Sequence, residues 1–244
     1  ELPDVPKRLL VVGGGYIGLE LGSAYAALGS AVTVVEMTDG LLPGVDRDLV
    51  GILERRLRGL IASIHTSTRV NAVKDTEEGL LVTLSGAQSG TERFDRMLVS
   101  VGRVPNTDGL GLENTRAVVG ADGFIGHDDQ QRTGDPAIFV VGDVAGQPML
   151  AHKASAQGEM VAEIIAGHRR EFDPVGIPAV CFTEPEILGV GLTPDEAKEA
   201  GIATTVGKFP FAASGRALAM QAGTDGGFVR ITARRDDNVI IGIH

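Results

Sequence analysis

Arg8-Leu-Leu-Val-Val-Gly13-Gly-Gly-Tyr-Ile-Gly18-Leu-Glu-Leu-Gly22, followed by Ala31-Val-Thr-Val-Val-Glu36, is the stretch whose reading decides the fold. Arg8 to Val12 is an apolar run that leads into glycines. Tyr16 to Leu28 then places Ile17, Leu21, Ala24 and Leu28 at helical spacing. Gly29 stands where a left-handed residue ends a helix. Ala31 to Val35 is a β-branched strand, and Glu36 closes it. Gly13-Gly14-Gly15-Tyr16-Ile17-Gly18 therefore matches G-x-G-x-x-G between a strand and a helix, with an acid at the end of the next strand about 20 residues on. Glycine-rich turns are common; it is the strand before, the helix after and the acid beyond that make this one a dinucleotide fingerprint.

The chemistry follows from the residue types. Gly13 permits the tight turn, Gly15 lets the backbone approach a pyrophosphate, and Gly18 lets the helix pack closely on the sheet. The helix start offers unpaired N–H groups and a partial positive charge to phosphate. Glu36 can accept hydrogen bonds from ribose hydroxyls and would meet a 2′-phosphate as like charge, so NAD is expected over NADP.

Working outward, Asp46 to Leu60 reads as an amphipathic helix with Leu49, Ile52, Leu53 and Leu57 on one side, and Arg55, Arg56 and Arg58 on a solvated face. Short strands are expected at Val70–Val73, Leu80–Leu84 and Met97–Val101. After Pro105-Asn106 a second segment holds weak strands and a buried strand, Ala137–Val141, ending in Gly142-Asp143 at the edge where open α/β sheets bind ligands. The loop to Leu150 leads into a helix from about His152 to Ala166, whose start can face a negatively polarised group such as a flavin pyrimidine edge. Pro174 and Pro178 mark a boundary. Beyond it, short strands alternate with a helix at Thr193–Ala200, where Thr193, Pro194 and Glu196 form a capping box. The order is α/β with a β-rich insert and no internal repeat.

Composition bounds the function. The chain has 244 residues, 34 of them glycine, and a net charge of -10, which disfavours nucleic acid as a partner. No run is long and apolar enough for a membrane helix. Glu1-Leu2-Pro3-Asp4 has neither the basic nor the apolar part of a signal peptide. A single cysteine, Cys181, excludes an internal disulfide and fits a reducing, cytoplasmic setting. The absence of an initiator Met and the terminal apolar run Val239–His244 give the expectation that the chain is an internal piece of a longer protein.

Six segments in one order carry a family resemblance: Gly13–Gly22, Val101-Gly-Arg-Val-Pro-Asn106, Thr133–Asp143, Gly146-Gln-Pro-Met-Leu-Ala-His-Lys153, Thr183-Glu-Pro-Glu186 and Ala212-Ala-Ser-Gly-Arg-Ala217. Together they resemble the two-dinucleotide flavoprotein disulfide reductases of the pyridine nucleotide-disulfide oxidoreductase family, above all the dihydrolipoamide dehydrogenases. The resemblance implies a Rossmann-like NAD domain at 1–108, the returning part of an FAD domain at 109–173, and part of an α+β dimerisation domain at 174–244. It implies NAD pyrophosphate on Gly13, Gly14, Gly15, Tyr16 and Ile17, its ribose on Glu36, and Val70 near the adenine. Ser100, Val101, Gly102 and Arg103 would line the nicotinamide side. Asp143 would take the FAD ribityl hydroxyls, and Met149, Leu150, Ala151 and His152 would reach the flavin, chiefly through the Ala151 backbone. Tyr16 would gate the nicotinamide and Glu20 would support the flavin site, although on bare sequence Tyr16 can simply pack and Glu20 can simply complement the helix dipole.

The same resemblance implies an enzyme in which dihydrolipoamide reduces a protein disulfide and electrons pass through FAD to NAD+, in a homodimer that can serve a 2-oxo acid dehydrogenase complex. The family's Cys-x4-Cys pair, its His–Glu acid–base pair and its first FAD fingerprint are not in this sequence. Cys181, between Val180 and Phe182, reads as a core residue, and His65, His127 and His168 as isolated surface or turn residues. No metal-ligand spacing occurs. No catalytic residue is therefore assigned here, and the chain alone is expected to be inactive. Another reductase of the same family, an NADH oxidase-type flavoenzyme and a stand-alone NAD-binding module are the alternatives.

Overall fold

The computed structural model describes residues 4–222 and 226–244. Glu1, Leu2 and Pro3, part of the N-terminal stretch read above, lie outside them. Two compact units form: residues 1–102 together with 180–244, and residues 103–179.

The first unit begins β1 (Arg8–Val12), α1 (Tyr16–Ala27), β2 (Ala31–Val35), α2 (Arg47–Leu57), β3 (Ser63–His65), β4 (Thr68–Thr76), β5 (Gly79–Gly86), β6 (Gly90–Phe94) and β7 (Arg96–Val99). Strands β3-β2-β1-β7 make a parallel sheet. Leu9, Leu10 and Val11 of β1 are buried on both faces, as a central parallel strand requires. Val12 pairs with Val35, so the carboxyl ends of β1 and β2, and with them Gly13 and Glu36, lie side by side.

Helix α1 packs through Gly18, Leu19 and Gly22. The periodic residues Ile17, Leu21 and Leu28 face outward at 42%, 41% and 65% exposure. The glycines explain the reversal: without Cβ atoms their face lets the helix come closer to β1 and β2 than a leucine face would. Helix α2 buries Leu49, Val50, Ile52, Leu53 and Leu57 and leaves Arg55, Arg56 and Arg58 exposed, as the periodicity indicated.

The β-rich insert is an antiparallel sheet, β4-β5-β6. β6 gave no periodic signal because Thr91, Glu92 and Arg93 are polar, and Phe94 anchors it alone. The chain re-enters this unit through β8 (Ala179–Cys181), β9 (Ile187–Gly191), α4 (Pro194–Glu199), β10 (Thr204–Pro210), α5 (Gly215–Ala219), β11 (Phe228–Arg234) and β12 (Ile240–Ile243), with α3 (Ala151–Ile165) lying in the second unit. The strands order as β10-β11-β12-β9-β8. The terminal apolar run is thus an inner strand, paired with β11 on one edge and β9 on the other. Cys181, Ile187 and Phe228 join the cluster that buries α2.

The second unit holds α3 (Ala151–Ile165) and two short 3-10 turns, Leu112–Asn114 and Gly142–Ala145. The strand expected at Ala137–Val141 does not form. Phe139 makes a single bridge with Arg132, and Val140 donates to Gln131. A strand needs a neighbour along its length, and this segment has only that one short contact. The buried residues of this unit form two small clusters, Ala117, Ile125, Val140 and Ala145, and Met160, Val161 and Ile164.

Candidate functional site

The glycine turn is held by its own backbone. Gly13 sits at φ +106, a conformation that excludes most side chains. Its N–H donates to Val35 at 2.9 Å, and the Ser100 hydroxyl donates to the Val12 and Gly13 carbonyls at 3.1 and 3.2 Å. A Cβ on Gly18 would lie 2.0 Å from the Gly13 oxygen, whereas one on Gly15 would meet nothing within 4 Å. The turn is closed against the sheet at Gly18 and open at Gly15.

Side-chain capping separates the helices. Asp46, Thr193 and Ser214 cap α2, α4 and α5, the Thr193 box forming as its sequence predicts. Helices α1 and α3 start at Gly15 and Leu150 with no side-chain cap. Their leading N–H groups and positive dipole ends therefore meet no capping side chain. These two starts are where the sequence expects the two dinucleotide groups, and an uncapped helix beside an open glycine suits a pyrophosphate.

Glu36 is fixed beside this turn. One carboxylate oxygen accepts from the Gly14 N–H at 2.7 Å; the other accepts from the Thr38 N–H and hydroxyl at 2.7 and 2.8 Å. Burial pushes its pKa up, but hydrogen bonds from Thr38, Gly14 and Met37 outweigh that, and the net shift is downward. Glu36 therefore contributes stability in full above the ordinary value of 4.5, and this is lost as pH falls through the lower folded-state value. Thermal melts should show Glu36→Gln less stable than the wild type at neutral pH, with the gap closing in acid below 4.5. A gap independent of pH would contradict this. Val70 is half-buried on β4, in the cluster with Leu10, Val35 and Phe94.

In the second unit Gly142, at φ +77, donates its N–H to the Gln157 side chain at 2.8 Å, which sets the turn carrying Asp143. The Arg103 guanidinium reaches Asp143 at 3.2 Å and the Met149 carbonyl at 2.9 Å. Lys153, 3% exposed, donates to the Gly146 carbonyl. Burial lowers its pKa, opposed by the Asp143 charge. His152 Nε2 lies 2.8 Å from the Pro178 carbonyl.

The pyridine nucleotide-disulphide oxidoreductase model matches residues 1–158, and the dimerisation domain of the same group matches residues 177–244. The chain belongs to the pyridine nucleotide-disulphide oxidoreductase family. It is 47% identical to a dihydrolipoyl dehydrogenase of Pseudomonas aeruginosa, over 98% of this chain and 50% of that protein. It is 45% identical to the dihydrolipoyl dehydrogenase of Geobacillus stearothermophilus, over 99% and 51%. The crystal structure of LpdA from Mycobacterium tuberculosis superposes with a TM-score of 0.88 at 32% identity, covering 99% of this chain and 52% of that one. The chain spans about half the length of the curated relatives it matches.

Within this pyridine nucleotide-disulphide oxidoreductase chain, the remaining sequence-read residues fall into place unevenly. Ser100 holds the glycine turn; Val101 is exposed, and Gly102 sits at φ +140. Arg103, read with them, pairs with Asp143 and donates to the Met149 carbonyl. Tyr16 is half-buried, its pKa raised by burial and then by the Cys181 thiol. Glu20 accepts from the Phe182 N–H at 2.8 Å, so it ties α1 to the end of β8 as well as lying on a helix. Cys181 is fully buried, and burial pushes its thiol up to about 11. His65 is half-buried in β3; His127 lies 2.8 and 2.7 Å from two carbonyls, and His168 is exposed. Among the described residues no cluster of three or more metal-ligating side chains occurs, and no helix is long and apolar enough to cross a membrane.

Sequence reasoning missed Thr38, Gln157 and Lys153 as supports of the two turns. Thr38 follows Glu36 by two residues, a spacing at which a hydroxyl commonly meets a neighbouring backbone or carboxylate. Lys153 and Gln157, four apart, share the inner face of α3 with Met160 and Val161.

Proposed function

We propose that this chain is the NAD-binding, FAD-contributing and dimer-forming portion of a flavoprotein that oxidises dihydrolipoamide with NAD+ through FAD and a redox disulfide. The observation that carries the reading is the pair of uncapped helix starts, at Gly15 and Leu150, in a chain 47% identical to a dihydrolipoyl dehydrogenase. When bound, FAD and NAD supply the hydride chemistry, which no side chain can carry.

This chain's residues bind and orient. The N–H groups of Gly15, Tyr16 and Ile17, opening α1, hold the NAD pyrophosphate, with Gly13 and Gly14 shaping the turn beneath it and Gly18 keeping the helix close. Glu36, ionised and already fixed, receives the adenosine ribose and repels a 2′-phosphate. Val70 flanks the adenine, and Ser100, Val101, Gly102 and Arg103 border the nicotinamide. Asp143 accepts from the FAD ribityl chain, and Arg103 holds Asp143 and the Met149 carbonyl in register. The Ala151 N–H at the start of α3, flanked by Leu150 and His152, donates to the flavin ring. Tyr16 covers the nicotinamide side and Glu20 supports the flavin side from α1. The domains run 1–108, 109–173 and 174–244, the last forming a homodimer in the whole enzyme. The setting is cytoplasmic, and the partner is a 2-oxo acid dehydrogenase complex.

The test uses the full-length protein. It is expected to be yellow from bound FAD and to form NADH from NAD+ and dihydrolipoamide. A colourless full-length protein, or one that reduces NAD+ with no dithiol present, would sink the reading.

A further inference from the structure

A buried cation of the C-terminal sheet meets the start of α2. Arg230 on β11 has a side chain 8% exposed and bonds the Asp46 carboxylate. Its other guanidinium nitrogen lies 3.7 Å from Asp48. Lys208, directly opposite Arg230 on β10, reaches Asp48 at 3.3 Å and lies 3.8 Å over the Phe228 ring. Two cations facing each other across a sheet repel. Asp46 and Asp48, brought in by the start of α2, offset that repulsion.

Asp46 is also the cap of α2, its carboxylate accepting from the Asp48 N–H at 2.9 Å. From there a continuous set of bonds runs back to the glycine turn. Arg47, the next residue, donates to the carbonyls of Leu41, Leu42 and Val45. The Leu42 N–H donates to the Gly14 carbonyl at 2.9 Å, and the Gly14 N–H donates to Glu36. Thr38, in the same loop, bonds both Glu36 and the Gly40 carbonyl. The loop from 37 to 45 is therefore held at one end by Glu36 and at the other by Asp46 and Arg47. Its middle lies on the fingerprint: a Cβ on Gly14 would meet Leu41 at 2.6 Å.

We propose that Arg230 is a positioning residue for the adenosine end of the NAD site, acting through Asp46 and the 37–45 loop on Gly14 and Glu36. The inference rests on the NAD reading above and adds to it a coupling between the dimerisation sheet and nucleotide affinity. Burial raises the Asp46 carboxyl pKa, but the hydrogen bond and charge of Arg230 outweigh that, and the net shift is downward. Removing Arg230 leaves that buried carboxylate without its main partner, and the cap must shift to rehydrate it.

The test is calorimetric binding of NAD+ and of ADP-ribose to the full-length protein and its variants. Arg230→Met is expected to weaken both ligands by the same factor, about three- to tenfold, the scale of network substitutions. Arg230→Lys keeps the charge and restores most of the affinity. Asp46→Ser keeps a good capping oxygen but loses the bridge, so it isolates the coupling from the cap and stands in if Arg230→Met does not fold. The double variant Arg230→Met, Asp46→Ser should be no weaker than the worse single one. Unchanged affinity for ADP-ribose in a folded Arg230→Met or Asp46→Ser protein, or additive losses in the double variant, would overturn the coupling. Wild-type protein that fails to bind NAD+ at all would instead remove the NAD reading, a result separable from the variants.

Discussion

Gly18→Ala is expected to lower NAD+ affinity by about 5- to 100-fold. The added methyl would sit 2.0 Å from the Gly13 carbonyl and 2.6 Å from the Ser100 hydroxyl. The hydroxyl can rotate away; the carbonyl belongs to the tight turn and cannot. Either α1 lifts from the sheet or the turn opens, and both displace the N–H groups of the helix start. Overpacking of this kind costs roughly 1–3 kcal/mol, and about 1.4 kcal/mol is a factor of ten. Gly15→Ala is the internal comparison. Its methyl meets no protein atom within 4 Å, so the fold should tolerate it. Only ligand approach should suffer, so its melting temperature stays near that of the wild type while NAD+ binding falls. Equal NAD+ affinity in Gly18→Ala and wild type, by calorimetry, would contradict the geometry.

The second large effect concerns the thiol. The 244-residue chain is expected to form no NADH from dihydrolipoamide above the blank, because its single cysteine cannot enter disulfide exchange. Cys181 is 0% exposed and burial raises its pKa to about 11, so at neutral pH only about one molecule in ten thousand carries the thiolate. Native protein should leave an aromatic disulfide reagent uncleaved, and protein unfolded in denaturant should release one equivalent of chromophore. Rapid reaction of the native chain, or dithiol-dependent NADH formation by it, would show an accessible and ionised thiol.

Much of the geometry around the glycine turn was legible because its signals are local. The strand, glycine turn, helix and closing acid sit within one stretch, and the parallel pairing of β1 with β2 brings Gly13 and Glu36 together as that order requires. The cap at Thr193 and the burial of Cys181 were legible for the same reason. The face of α1 was not, since periodicity reports where apolar residues lie and cannot say that a glycine face packs closer. The missing strand at Ala137–Val141 turns on whether a neighbour pairs along its length, which no local pattern records. Arg103 and Glu20 show the same limit. Their partners, Asp143 and Phe182, are distant in sequence, and only the fold brings them into contact.

The account rests on an NAD site built around Glu36 and the open turn at Gly15, and calorimetric titration of the 244-residue chain with NAD+ and then NADP+ tests it most directly. It predicts one NAD+ site per chain and NADP+ affinity lower by about tenfold or more, because a 2′-phosphate would face an ionised carboxylate. Equal affinities, or no heat with NAD+, would contradict it.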